Sequence, residues 1–140
     1  MAISKATAHW EGSLREGKGA MKPEHAPEAP FSLSSRFEGG RGSNPEELLG
    51  AALAGCFSMA LTASLNKAGK KPRAVRTSAE VHLDKKGEGF DVTSIELTTT
   101  CEIDDLADGE FQAIAQETKK QCPISKALAG TTITLKASFG

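Results

Sequence analysis

Tyrosine is absent, and one tryptophan and six phenylalanines are all the aromatic residues in a chain of 140. Aliphatic side chains must therefore build the core, and so small and ring-poor a core gains from being shared with a second copy. Positive charge is not in excess. Seventeen Lys and Arg against 18 Asp and Glu leave a net charge of -1, so the basic surplus that favours nucleic acid is missing. Cysteine is scarce: Cys56, Cys101 and Cys122 stand far apart without a Cys-x-x-Cys pair. That excludes a secreted disulfide framework and a zinc knuckle, and points to a reducing compartment, the cytoplasm. The stretch from Met1 to Thr7 lacks the apolar core of a signal peptide. His9, His25 and His82 show no paired spacing, so no metal site is expected. Neither a Gly-x-Ser-x-Gly elbow nor a phosphate loop ending in Gly-Lys-Ser/Thr occurs.

The length fits one domain over residues 1–140. One run, Leu48 to Leu65, carries no charge and reaches the lower edge of membrane-spanning length. Its many Ala, Gly, Ser and Thr residues, without flanking charge asymmetry or aromatic belts, favour a buried helix over a span. Asn44-Pro45-Glu46-Glu47 is the strongest helix start: Asn44 caps, Pro45 suits the first helical position, and Glu47 stands three residues after the cap. The helix should end near Lys67 or Ala68, with Gly69 at the left-handed terminal position. Apolar residues cover nearly its whole circumference, so it is expected to be buried on most sides.

Before that helix, His9 to Gly12 closes a strand, and glycines punctuate a hairpin into Leu14 to Met21. Met21 to Pro30, with three prolines, reads as a loop. Phe31, Leu33 and Ser35 alternate with Ser32, Ser34 and Arg36, predicting a strand with Arg36 on the exposed face. After the helix, Ala79, Val81 and Leu83 share one parity. Phe90 and Val92 are even-numbered where Leu97, Thr99, Cys101 and Ile103 are odd, which calls for a bulge or break near Thr93-Ser94. Asp108 can cap a helix ending near Gln121, Cys122-Pro123 restarts a short one to Ala129, and Ile133 to Phe139 alternate as a closing strand. The sum is an α+β protein with a mostly antiparallel sheet around a long central helix.

Position alone favours Cys122 over Cys56 as the reactive thiol. Cys56 is mid-helix, where a small core residue is the ordinary reading, whereas Cys122 stands at a helix start, where unpaired amides favour an anion. Cys101 falls in register with Leu97 and Ile103 and reads as structural. Arg36 could steady a thiolate and Glu46 could hold Arg36 by paired hydrogen bonds. An exposed strand arginine and a first-turn glutamate nevertheless have plain surface roles too.

The stretch Arg36-Phe37-Glu38-Gly39, then Gly42 through Ala52, then Ala54-Gly55-Cys56-Phe57-Ser58-Met59-Ala60-Leu61, together with Cys122-Pro123-Ile124-Ser125-Lys126-Ala127-Leu128, resembles the OsmC/Ohr family of thiol-dependent peroxidases. The similarity runs from Ala8-His9-Trp10-Glu11-Gly12 through the closing strand, and Arg36-Phe37 five residues after Phe31 is closer to the OsmC branch. The resemblance implies an intertwined homodimer in which Cys56 is the peroxidatic cysteine, reducing organic hydroperoxides and hydrogen peroxide, and Cys122 the resolving one. It reverses the ranking drawn from position alone. Arg36 matches the arginine that stabilises the thiolate, and Glu46, preferred to Glu47, the carboxylate that orients it. Cys101 has no counterpart.

On that resemblance Cys56 becomes a sulfenic acid, condenses with Cys122, and is reset by an external dithiol, a lipoylated protein being the expected donor, with no metal, haem or flavin. Glu46 and Cys56 lie ten positions apart on one predicted helix, about 15 Å along it and roughly 80° around it. Glu46 is therefore expected from the other subunit, with the two long helices antiparallel near Gly50 and Ala51. The competing reading is a non-catalytic thiol redox sensor or hydrophobic-ligand binder on the same fold.

Overall fold

A computed structural model describes residues 1–140, which form two compact units, Met1–Leu48 and Leu49–Gly140. In the first, β1 (Ala6–Glu11), β2 (Lys18–Pro23) and β3 (Ala29–Phe31) make an antiparallel sheet in that order. The Trp10 and Phe31 rings, 5.4 Å apart, close over Gly19, where an added Cβ would stand 2.9 Å from both. Only glycine permits that approach. The expected loop is shorter than Met21 to Pro30, because Pro23 ends β2 and Pro30 lies on the short edge strand β3, positions that tolerate a missing amide donor.

The strand expected through Arg36 is replaced by a one-turn helix, α1 (Leu33–Phe37). A reciprocal cap decides this. The Ser35 amide donates to Ser32 Oγ at 3.1 Å while the Ser32 amide donates to Ser35 Oγ at 2.8 Å. Arg36 is exposed as expected, but on a helix turn.

The long helix α2 (Pro45–Lys67) begins and ends where the sequence places it. Asn44 Oδ1 accepts the Glu47 amide at 2.8 Å, and Gly69, at φ +79°, turns the chain so that the Lys70 amide reaches the Leu65 carbonyl at 2.9 Å. The Glu47 carboxylate accepts from Ser43 Oγ at 2.7 Å. α2 is long and apolar enough to cross a membrane by length and composition. One stripe of it, Leu53, Phe57, Leu61 and Leu65, is fully enclosed in the core of the second unit.

Burial on most sides is not what this chain provides: Ala51, Ala52, Gly55, Met59 and Ala63 are exposed, Met59 at 79%. The physical reason is that a single sheet and helix layer covers one face of a helix, and the opposite apolar face needs a further layer. Gly50 faces inward, its Cβ position 3.1 Å from Val81 Cγ2.

In the second unit β4 (Ala74–Lys86) and β5 (Gly89–Glu102) form a long antiparallel hairpin, and β6 (Thr132–Phe139) joins β5 in parallel. His82 pairs Ser94 and Leu83 pairs Val92, leaving Thr93 as the extra residue of a bulge. This is where the parity of the apolar residues changes. The Thr93 hydroxyl donates to the Asp84 carboxylate across it. The parallel return of β6 requires a crossover, supplied by α3 (Asp108–Gln121) and α4 (Pro123–Ala127). Ala107, not Asp108, is the cap of α3, and α4 stops at Ala127, two residues before Ala129.

Candidate functional site: a dithiol and an arginine–glutamate pair

Cys56 is held on the buried flank of α2, between the core positions Leu53 and Phe57, and remains half-buried. Cys122 ends α3 and caps α4, and its side chain is fully enclosed. Pro123 forces this junction: it cannot continue α3, and its fixed φ suits the first position of α4. The junction brings Cys122 Sγ to 2.8 Å from Cys56 Sγ, the Cys122 thiol donating, with all three cysteines free. Cys101 is buried on β5.

The two thiols are shifted in opposite directions. Burial pushes the Cys56 thiol up, and the Cys122 contact pushes the same way, against a donated Ile124 amide. Burial also acts upward on Cys122. It is outweighed there by the contact with Cys56 and by the Ser125 and Ile124 groups at the start of α4, which together hold Cys122 below the ordinary thiol value. The half-exposed sulfur of the pair is that of Cys56.

Arg36 and Glu46 are brought together in the first unit. Arg36 Nη2 donates to Glu46 Oε1 at 2.6 Å, and Nε lies 3.1 and 3.2 Å from the two carboxylate oxygens. This two-pronged pairing fixes the guanidinium plane. The Glu46 side chain is 12% exposed and that of Arg36 37%. The two pair within one chain, Arg36 from the one-turn helix α1 and Glu46 from the first turn of α2. Glu47 is engaged at the helix cap.

Two groupings escaped the sequence reading. Glu80, His82 and Glu96 converge on the exposed face of β4 and β5, their ligand-type atoms within 4.8 Å of one another, with His82 Nε2 2.8 Å from Glu96 Oε2. The β4–β5 register, which sets Glu80 opposite Glu96, was the missing information. Ser125 was also passed over. The signal was its spacing of three from a helix-capping residue, Cys122.

An α+β chain whose helix junction presses an enclosed thiol against an open one defines a dithiol protein, with the pair's chemistry set by which sulfur solvent can reach. The chain belongs to the OsmC-like protein family, whose model matches residues 38–136. It is 43% identical to Peroxiredoxin OsmC of Escherichia coli over 126 residues, covering 89% of this chain and 88% of that one. The fold is that of the family's solved structures. A Legionella pneumophila organic hydroperoxide resistance protein OsmC matches with a TM-score of 0.70 and 24% identity, covering 100% of this chain and 99% of that one. The organic hydroperoxide resistance protein OhrB of Bacillus subtilis matches with a TM-score of 0.68 and 22% identity over 97% of this chain and 98% of its own.

Proposed function

We propose that this protein is a thiol-dependent peroxidase of the cytoplasm that reduces organic hydroperoxides and hydrogen peroxide, its two units acting as one OsmC-like domain. The observation that carries this reading is the contact of half-exposed Cys56 with enclosed Cys122 at 2.8 Å. Access supports the roles carried by the resemblance: half-exposed Cys56 is open to a peroxide, whereas Cys122 is enclosed. The relatives named peroxiredoxin and hydroperoxide resistance protein support the same chemistry.

The Cys56 thiolate attacks one peroxide oxygen and the O–O bond breaks. The departing alkoxide takes a proton and leaves as alcohol, or as water from hydrogen peroxide, and Cys56 becomes a sulfenic acid. Cys122 thiolate then attacks the Cys56 sulfur, the S–O bond breaks, and hydroxide leaves with a proton as water. An external dithiol, a dihydrolipoyl group on a carrier protein being the expected one, takes up the disulfide and restores two thiols.

The cation that draws charge onto Cys56 is Arg36, steadied by Glu46. The rise of α2 separates Glu46 from Cys56 by about 15 Å, so the Arg36–Glu46 pair serves the Cys56 of a second copy in an intertwined homodimer. The exposed stripe of α2 through Ala52, Gly55 and Met59 supports that association, in place of a contact at the inward-facing Gly50.

The test is consumption of cumene hydroperoxide with dihydrolipoamide present. The wild type is expected to turn over many equivalents and Cys56→Ser none. Cys122→Ser should stop after one oxidation, with its Cys56 sulfenic acid captured by dimedone. Stoichiometric oxidation of the wild type, without turnover by any dithiol, would overturn the enzyme reading in favour of a sensor.

A further inference from the structure

Four hydroxyl side chains are buried in this chain: Ser35, Thr99, Thr118 and Ser125. Three are hydrogen-bonded. Ser35 Oγ donates to the Ser43 carbonyl at 2.6 Å, Thr99 Oγ1 to the Arg76 carbonyl at 3.1 Å, and Thr118 Oγ1 to the Ile114 carbonyl at 2.8 Å. Ser125 Oγ, in a residue 7% exposed, is the one buried side-chain oxygen left without a hydrogen bond. An enclosed hydroxyl with nothing to bind is costly and invites a reason.

Its place in the helix supplies one. Cys122 caps α4 and Ser125 stands three residues on, the spacing at which the two side chains of a capping pair face each other. A hydroxyl at that position ordinarily reaches back to the capping residue's amide. The Cys122 amide is already donated to the Thr118 carbonyl at 2.9 Å. With that amide taken, the capping pair leaves Ser125 beside the Cys122 sulfur, whose thiol it helps to hold below the ordinary value. A thiol sulfur is a weak acceptor and leaves the hydroxyl unsatisfied; a thiolate is a strong one.

We propose that Ser125 is a positioning residue of the disulfide cycle, whose hydroxyl donates to Cys122 Sγ whenever that sulfur carries negative charge. That happens twice in the cycle, so the inference rests on the peroxidase reading for its consequence. Cys122 is charged as it attacks the Cys56 sulfenic acid, and charged again as it departs when the external dithiol opens the disulfide at Cys56. Ser125 stays a spectator when peroxide first meets Cys56.

The test separates the hydrogen bond from the cycle. In Cys56→Ser/Cys101→Ala protein, which keeps a hydroxyl beside Cys122 and leaves it the one thiol, ionisation of Cys122 is followed against pH by thiolate absorbance at 240 nm, with and without Ser125→Ala. The expected result is an ionisation midpoint higher by about one pH unit in the Ser125→Ala background. In otherwise wild-type protein, Ser125→Ala should slow disulfide formation roughly threefold at pH 7, because a tenfold smaller thiolate fraction is partly offset by greater nucleophilicity. The rate of sulfenic acid formation should be unchanged. An unmoved midpoint with native circular dichroism would overturn the proposal. A moved midpoint in a protein that forms no disulfide with peroxide would uphold the hydrogen bond and sink the peroxidase reading instead.

Discussion

Cys56 and Cys122, 66 positions apart in the chain, lie with their sulfurs 2.8 Å from one another, the first open and the second enclosed. Two thiols so placed differ in access more than in chemistry. Enclosure keeps Cys122 from oxidants, and the short helix it caps keeps it poised against its neighbour.

The Arg36–Glu46 pair gives a test of how copies combine. Arg36→Met and Cys56→Ser are each expected to be inactive, the first because Cys56 loses its cation. Co-expressed, they should recover about a quarter of wild-type activity, since half the dimers are mixed and each mixed dimer has one complete site. Recovery of none would mean that Arg36 serves the Cys56 of its own chain. Glu46→Gln, which leaves Arg36 present but loses the charged two-pronged grip, should lower peroxide reduction by roughly tenfold.

Cys101 should shape alkaline stability and little else. Burial pushes its thiol up. As pH rises past the ordinary thiol value of about 8.5, the unfolded chain releases this proton while the folded chain retains it, so folding becomes less favourable. Cys101→Ala should cost about 1 kcal/mol at pH 7 through lost packing, yet show a shallower fall in urea midpoint between about pH 8 and 10. Peroxidase turnover should be retained.

Gly55 tests the exposed stripe of α2. A side chain there meets nothing within 4 Å in its own chain. For a lone chain, Gly55→Ala would gain up to about 1 kcal/mol in helix propensity. If this stripe packs on a second copy, Gly55→Leu forces the helices apart, and light scattering after size exclusion should find a monomer where the wild type is a dimer. A dimeric Gly55→Leu protein would place the contact elsewhere.

His82 should titrate high. The Glu96 carboxylate bonded to its ring holds the imidazolium, and Glu96 is itself held low by His82. The pair's contribution to stability is fully present only between the ordinary carboxylate and imidazole values, about 4.3 and 6.5. It is lost as pH falls through the lowered Glu96 value and as pH rises through the raised His82 value. Proton NMR should place the His82 midpoint above 6.5, and Glu96→Gln should bring it back toward that value.

Much of this protein is legible along the chain because its signals are local. Asn44, Pro45 and Gly69 bound α2 through caps and backbone geometry that neighbouring residues alone decide. The parity change between Val92 and Ile95 announced a bulge, since side chains on a strand alternate whatever they pack against. Cys122-Pro123 marked a helix junction for the same kind of reason.

Other features needed the folded molecule. Leu33 to Phe37 is too short for alternation to tell strand from helix, and the Ser32–Ser35 cap settled it. Mid-helix position argued against Cys56, because exposure of one flank of α2 depends on which elements cover it and not on α2 itself. The meeting of Cys56 with Cys122, the grip of Glu46 on Arg36 and the orphaned hydroxyl of Ser125 all arise from packing between distant or differently oriented segments. Short-range propensity determined where the elements begin and end. Which side chains face one another, and which of two like thiols solvent can reach, was decided by tertiary burial.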